Sequence, residues 1–266
     1  MISIARILPA PLIRAAGRLQ FQFPLLSKPI NLLGQLVAGS GAIQRGAGKG
    51  LRFNGRGCSP GYVAGTSHPV EQSLILKYLS LGSVFYDVGA NAGFYATIGA
   101  RAVGEAGRVY AFEPMPKLAD RIHENASLNT LTNLEVLQTA VADVDGSVVF
   151  GALGPLSMWN SISAAGSNVE KLTVQSIRLD TFSQEHRPPN LILIDIEGDE
   201  IRALQGGLQT IAKYRPVIMV EVHWLGQKFL DFFDGVVKPL GYSATTYTGQ
   251  SLPVEPVRYH ALLVPS

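Results

Sequence analysis

The sequence predicts an α/β fold of the doubly wound kind, on three observations. Short, unbroken apolar runs at Val84–Val88, Leu191–Ile194 and Pro216–Val222 read as strands buried on both faces. Segments with helical spacing of apolar residues separate these runs, which is the rhythm of parallel strands joined by crossover helices. Several strands also end on a glycine or an acid, as in Val88-Gly89, Phe112-Glu113 and Ile194-Asp195. Sheets of this kind bind ligands beyond the carboxyl ends of their strands, where the strand order reverses.

The chain has 266 residues, room for one large domain with a modest appendage. At 47% hydrophobic and 16% charged residues, it is too apolar to be disordered overall. A lone cysteine, Cys58, excludes an intramolecular disulfide and a cysteine-built zinc site, and fits a reducing compartment. Charge divides the chain. Residues 1–70 hold eight basic residues (Arg6, Arg14, Arg18, Lys28, Arg45, Lys49, Arg52 and Arg56) and no acid, leaving 14 basic against 20 acidic residues in the remainder. We therefore divide the chain into a basic, glycine-rich arm at 1–66 and a catalytic domain at 67–266.

Within the arm, residues 2–20 read as a basic amphipathic helix confined to its later turns by Pro9 and Pro11. Ten glycines between 34 and 65 predict loops and short hairpins. His68-Pro69 opens a helix with Leu74, Leu76 and Leu79 among its apolar positions. Strand Val84–Val88 follows, then a helix through Val103, strand Arg108–Phe112 and a helix over 116–129 with Leu118 and Ile122 one turn apart. Leu134–Val141 reads as the third strand. The stretch 146–169 is uncharged, and Leu156, Met158 and Trp159 suit either a lid over an acceptor pocket or ordinary packing. Leu172–Leu179 and Leu191–Ile194 follow. Ile201, Leu204, Leu208 and Ile211 mark one helix face, Phe229 to Val237 another helix, and Tyr242–Tyr247 with Arg258–Val264 a closing hairpin.

Chemistry gathers at the strand ends. Gly89 and Gly93 bracket Ala90-Asn91-Ala92, a turn where backbone can approach a ligand before a helix N-terminus. Asp87 would repel a dinucleotide pyrophosphate but attract the sulfonium and ammonium of S-adenosylmethionine (SAM). Asn91 also stands where a dinucleotide loop has its middle glycine. Glu113, 24 residues beyond Gly89, is placed to accept hydrogen bonds from ribose hydroxyls. Asp195 and Glu197 have the two-residue spacing that points side chains the same way in extended chain, an arrangement suited to a general base, a metal ligand pair or the orientation of a hydroxyl. Asp199 and Glu200 read as favourable charges on the first turn of the next helix. Glu221 and His223 share a face, and histidine titrates near neutrality.

Asp87-Val-Gly-Ala-Asn-Ala-Gly93, Tyr110-Ala-Phe-Glu-Pro114, Arg178-Leu-Asp-Thr-Phe182, Ile194-Asp-Ile-Glu-Gly198 and Tyr214-Arg-Pro-Val217 with Glu221-Val-His223 together resemble the FkbM family of SAM-dependent methyltransferases. The matches run from about residue 71 to 247. The resemblance implies the seven-stranded, Rossmann-like class I methyltransferase sheet and O-methylation of a hydroxyl on a sugar, polyketide or other secondary metabolite. Many relatives carry lysine where this chain has Leu193, two residues before Asp195.

The expected cofactor is SAM, with Asp87, Gly89, Asn91 and Gly93 at its methionine end, Glu113 at the ribose, and Ala140-Val141 at the adenine. Asp195, Glu197 and His223 are the candidate catalytic residues. A divalent metal at Asp195/Glu197 is compatible with the sequence and not required by it. Two other readings are a nicotinamide-dependent oxidoreductase, which Asp87 opposes, and a silent scaffold on the same fold. A small hydroxyl-bearing molecule is the expected partner. No segment offers the ~20 apolar residues of a membrane span, and arginines interrupt any secretory signal near the N-terminus. The expected location is cytoplasmic; the basic arm reads either as a solvated, partly folded extension covering one sheet edge or as a peripheral contact with an anionic membrane or a phosphorylated acceptor, the first preferred, and nucleic acid is not expected, because the arm lacks a stacking platform. Removal of residues 1–50 is expected to leave SAM binding intact.

Overall fold

A computed structural model describes residues 39–152 and 170–266. The helix expected at 2–20, the arginines at 6, 14 and 18, Lys28, and Leu156, Met158 and Trp159 lie outside the described residues.

Seven strands form the central sheet: β3 (Val84–Val88), β4 (Arg108–Phe112), β5 (Leu134–Leu137), β9 (Leu191–Ile194), β10 (Val217–Val222), β11 (Tyr242–Thr246) and β12 (Tyr259–Pro265). Their order is β11-β12-β10-β9-β3-β4-β5. β12 runs antiparallel to both β10 and β11, and the other neighbours are parallel. The closing hairpin thus joins the sheet at one end, as expected. Sheet order reverses between β3 and β9, so the site belongs at the ends of those two strands.

All five residues of β3 are buried because helices cover both faces. Val84, Tyr86 and Val88 pack into one core with Ile192, Ile194 and Val220, while Phe85 packs into the other with Ile98, Leu191 and Met219. Among the described residues of the first half are four helices: α1 (Pro60–Ala64), α2 (Pro69–Tyr78), α3 (Phe94–Val103) and α4 (Pro116–Ser127). The second half adds α5 (Leu179–Glu185), α6 (Glu200–Gln205), α7 (Leu208–Tyr214) and α8 (Gln227–Phe232), the last continuing into a π turn and a 3-10 turn through Leu240.

Three elements depart from expectation. The segment Leu134–Val141 is two strands: β5 stays in the main sheet, and β6 (Ala140–Val141) leaves through a tight turn, Thr139 N–H to Leu137 O at 2.8 Å. β6 joins a second sheet of order β6-β8-β7 with β7 (Gly146–Ala152) and β8 (Glu170–Ile177). The start of the uncharged stretch is therefore strand. The helix expected across Ile201–Ile211 is broken into α6 and α7 at Gly206-Gly207, where a Cβ on Gly206 would strike the Ala142 carbonyl.

The arm contributes directly to the core. β1 (Ser40–Ala42) pairs antiparallel with β2 (Arg52–Asn54), the short hairpin the glycines foretold. Ile43, Leu51, Phe53 and Val63 are buried against α3 and the sheet. Phe53 meets Phe94 edge-on with ring centroids 5.8 Å apart, and Tyr62 stacks on Phe94 at 4.6 Å. Asn54 N–H donates to Asn125 Oδ1 at 2.7 Å, tying β2 to α4. A cut after residue 50 would strip Ile43 from this core and remove the carbonyls of Ala47 and Lys49 that accept from Arg101. Part of the arm is therefore structural, in keeping with its reading as an extension packed on the sheet.

Candidate active site

β3 and α3 are joined by Gly89-Ala-Asn-Ala-Gly93. Gly89 has φ +83°, and a Cβ there would collide with the carbonyl of Asp195, so only glycine lets the β3 and β9 ends close together. Its amide and that of Ala90 donate to Phe112 O at 3.0 Å each. Asn125 holds the turn from below, donating to Ala92 O at 2.9 Å.

Glu113 connects this turn to the end of β4. One carboxylate oxygen accepts from the Asn91 amide at 2.9 Å and the other from the Met115 amide at 2.9 Å. Burial pushes its pKa up to about 8; the two amides oppose that rise, and the nearby Asp87 adds to it. Each oxygen keeps a second lone pair for a ligand hydroxyl. Asp87 is buried beneath the turn, between Ala111 and Leu193 in register, and its Oδ2 has no hydrogen-bond partner. Burial lifts its pKa to about 7. Leu193 is itself buried and brings no charge to this neighbour.

Gly89, Asn91 and Glu113 line one side of an open cleft. Ala140 and Val141 line it too, as expected of the third strand's end, although they belong to the second sheet. Asp87, Gly93 and His223 are set back from its wall. The sequence reading missed its apolar side: Met115 and Leu118 of α4 pack against Phe150 of β7. An uncharged stretch carries no positional signal for a ring-sized wall, and only the pairing of β7 with β8 puts Phe150 there.

Asp195 and Glu197 line the far side of the cleft. They do not converge through extended geometry. The strand ends at Ile194, and Glu197 has φ +56°, a left-handed turn that folds its side chain back toward β10. Both face His223, whose Nε2 lies 3.8 Å from Asp195 Oδ1 and 3.4 Å from Glu197 Oε2. Burial raises the Asp195 pKa well above the usual carboxylate range, and the adjacent Glu221 and Glu197 charges raise it further.

Glu200 stands on the first turn of α6, as expected, but does more there. It is fully buried, and its Oε1 accepts from the Gly198 amide at 2.8 Å and from His223 Nδ1 at 2.7 Å. It thereby orients the imidazole, which the sequence did not show. Burial disfavours a charged His223, but the bond to Glu200 and the carboxylates around it raise its pKa overall.

A second polar group abuts the first. Arg258 pairs with Glu221, and His260 Nε2 lies 3.0 Å from Glu71 and 3.5 Å from Glu221. Burial alone would raise the Glu221 pKa; the His260 hydrogen bond and the Arg258 charge lower it instead. His260 is raised to about 10 because its bonds to Glu221 and Glu71 outweigh burial. Tyr247 stacks on His260 with centroids 5.1 Å apart, and His68 Nδ1 meets Tyr95 Oη at 3.0 Å. Glu71, His68, Arg258 and His260 come from the two ends of the domain, and no local spacing links them.

The model of the methyltransferase FkbM domain matches residues 87–243, more than half of the chain. Among curated proteins, the chain is 30% identical over 154 residues to the hexuronic acid methyltransferase AglP of Haloferax volcanii. That alignment covers 56% of this chain and 60% of the relative, so the chain spans less than two thirds of that protein's length. Among solved structures, the methyltransferase FkbM from Methylobacillus flagellatus is 15% identical with a TM-score of 0.49, over 72% of this chain and 46% of that one. The O-methyltransferase from Bacillus cereus, solved with SAH, is 16% identical with a TM-score of 0.45, over 73% and 78% of the two chains. The glycine turn, Glu113 and the Asp195–Glu197 end of β9 all fall within the matched residues, and the chain belongs to the FkbM methyltransferase family.

Proposed function

We propose that the protein is a SAM-dependent O-methyltransferase acting on a hydroxyl of a sugar-like acceptor. One observation carries the cofactor assignment. Glu113, buried at the end of β4 and bonded to the glycine turn, faces a cleft with an apolar wall opposite. The residues present fit SAM. Gly89 and Asn91 bring the turn's backbone to the cleft, Glu113 has lone pairs for the ribose, and Ala140, Val141, Met115 and Phe150 suit a flat adenine. The Asp87 carboxylate, whose Oδ2 has no hydrogen-bond partner, lies beneath the turn as a countercharge for the cationic methionine end.

SAM supplies an electrophilic methyl group, whose bond to sulfur breaks, with the electron pair going to sulfur, as the acceptor oxygen forms its bond to carbon. The chain's residues hold the acceptor oxygen in line and remove its proton. Asp195 and Glu197 reach the cleft, and Asp195 is the residue placed to receive that proton. His223, held by Glu200, supports both carboxylates. The relative named as a hexuronic acid methyltransferase supports a sugar-type acceptor.

Titration calorimetry with SAM tests the assignment. Glu113→Ala removes charge-assisted hydrogen bonds worth about 1.5–3 kcal/mol, so affinity should fall roughly ten- to over a hundredfold. A folded variant with unchanged affinity would refute the ribose role. Transfer of a labelled methyl group to hexuronic acid glycosides tests the acceptor class.

The basic arm we read as a peripheral contact with an anionic membrane surface. Support comes from charge alone: Arg45, Lys49, Arg52 and Arg56 are exposed, and each basic residue near such a surface contributes about 1 kcal/mol, screened by salt. Among the described residues no helix is long and apolar enough to cross a membrane. Full-length protein should sediment with phosphatidylserine vesicles at low salt, and the combined Arg6→Glu, Arg14→Glu, Arg18→Glu variant should stay in the supernatant. Equal partitioning of the two would end the membrane reading.

A further inference from the structure

We propose that Asp195, Glu197 and His223 form a binding site for a divalent first-row transition cation, Mn²⁺ in type, open toward the cleft. The ligand atoms are Asp195 Oδ1, Glu197 Oε2 and His223 Nε2, all within 4.8 Å of one another. At separations of 3.4 and 3.8 Å from the imidazole nitrogen, a single point can lie ~2.0–2.4 Å from all three, the range of metal–ligand bonds.

His223 is the independent sign of a ligand. It is 3% exposed, and its Nε2 has no hydrogen-bond partner. Its other nitrogen is committed, because Nδ1 donates to the buried Glu200 carboxylate at 2.7 Å. A carboxylate bonded to one imidazole nitrogen while the other points into a cluster of oxygens is the arrangement that orients a metal-bound histidine and strengthens it as a ligand. Carboxylate oxygens of Asp195, Glu197 and Glu221 lie 3.4–3.8 Å from that nitrogen, and either a proton or a metal cation on it must answer their charge.

The donor set selects the ion. One imidazole and two carboxylates suit Mn²⁺, Fe²⁺ or Zn²⁺ better than magnesium or calcium, which favour all-oxygen shells. The neighbouring group of His68, Glu221 and His260 also has a ligand spacing. There Arg258 and His260 already supply positive charge to Glu221, and Glu71 engages His260. A metal ion has no comparable call on it.

Asp195 and Glu197 line the cleft, so the remaining coordination positions face the place where an acceptor oxygen must sit. The use of the cation rests on the methyltransferase reading: a bound hydroxyl is held in line and made more acidic. The site itself does not depend on that reading.

The test is a titration of full-length, chelator-stripped protein with MnCl₂ in the absence of SAM and acceptor, with free Mn²⁺ read by its EPR signal. One saturable site per chain is expected. His223→Ala and Glu197→Gln should each weaken it at least tenfold, and Glu200→Gln by about 10–100-fold through loss of the imidazole's support. His68→Ala should leave it unchanged. Thermal melting identifies any variant that fails to fold, and Glu197→Gln, at the cleft surface, is the mildest of them. Absence of binding below millimolar Mn²⁺ overturns the proposal, as does binding that survives His223→Ala but is lost in His68→Ala. SAM binding is measured separately on the metal-free protein, so failure of the methyltransferase reading and failure of the cation site are told apart.

Discussion

Asp195→Asn lowers kcat by about 10²–10⁴ and leaves SAM affinity within a few fold, the effect expected on loss of a positioned proton acceptor. The carboxylate lies at the end of β9 beside the switch in strand order, partly open to the cleft and 3.8 Å from His223 Nε2. Burial and the charges of Glu221 and Glu197 raise its pKa above the usual carboxylate range. Asparagine keeps the shape and cannot take the proton. Steady-state turnover of a methylated sugar acceptor, beside calorimetric SAM affinity, reads the two effects apart. The same split is expected, to a smaller or larger degree, of Glu197→Gln and His223→Ala. If all three variants turn over normally, positioning of the acceptor suffices and no base acts here.

Asp87→Asn makes the SAM-free protein more stable than wild type at pH 9 and leaves the two similar near pH 4. Asp87 has its pKa raised from 3.8 to about 7 by burial. Between those values the folded chain retains a proton the unfolded chain has released, so wild-type stability falls as pH rises through that window and levels off above it. A shift of this size corresponds to on the order of 4 kcal/mol at full effect, and asparagine, having nothing to ionise, does not share in the loss. Glu113, raised to about 8 by burial and further by the Asp87 charge, adds a slope of the same sign to both proteins, the larger one in wild type, so it widens the gap rather than reversing it. Denaturant unfolding at pH 4, 6, 7.5 and 9 measures the difference; a gap that does not grow with pH means Asp87 is not held protonated. Saturating SAM should narrow the gap at high pH, because a cation at the turn favours the ionised carboxylate.

The sheet strands at Val84, Arg108, Leu191 and Val217, and the helices between them, were legible because apolar runs and apolar spacing are local properties. So were the glycine turn and Glu113, since the distance between them along the chain is set by one crossover helix. The branching of Leu134–Val141 into two sheets was not legible, nor was the break at Gly206-Gly207. Both depend on which backbone passes nearby: β8 for Ala140 and Val141, and the Ala142 carbonyl for Gly206.

Glu200 gives the sharpest contrast. By sequence it is an acid on a first helical turn, and Asp195 and Glu197 form a pair by strand spacing. The tertiary structure places Glu200 in full burial against His223 and makes Glu197 reach the same imidazole through a left-handed turn. Local pattern determined the fold class, the cofactor turn and which strand ends carry acids, because these depend on side-chain period and on residues few steps apart. Which acids meet which histidine, that Phe150 walls the cleft, and that Phe53 of the arm lies under its first helix were decided only when distant segments packed together, since burial and hydrogen bonding act through space without regard to separation along the chain.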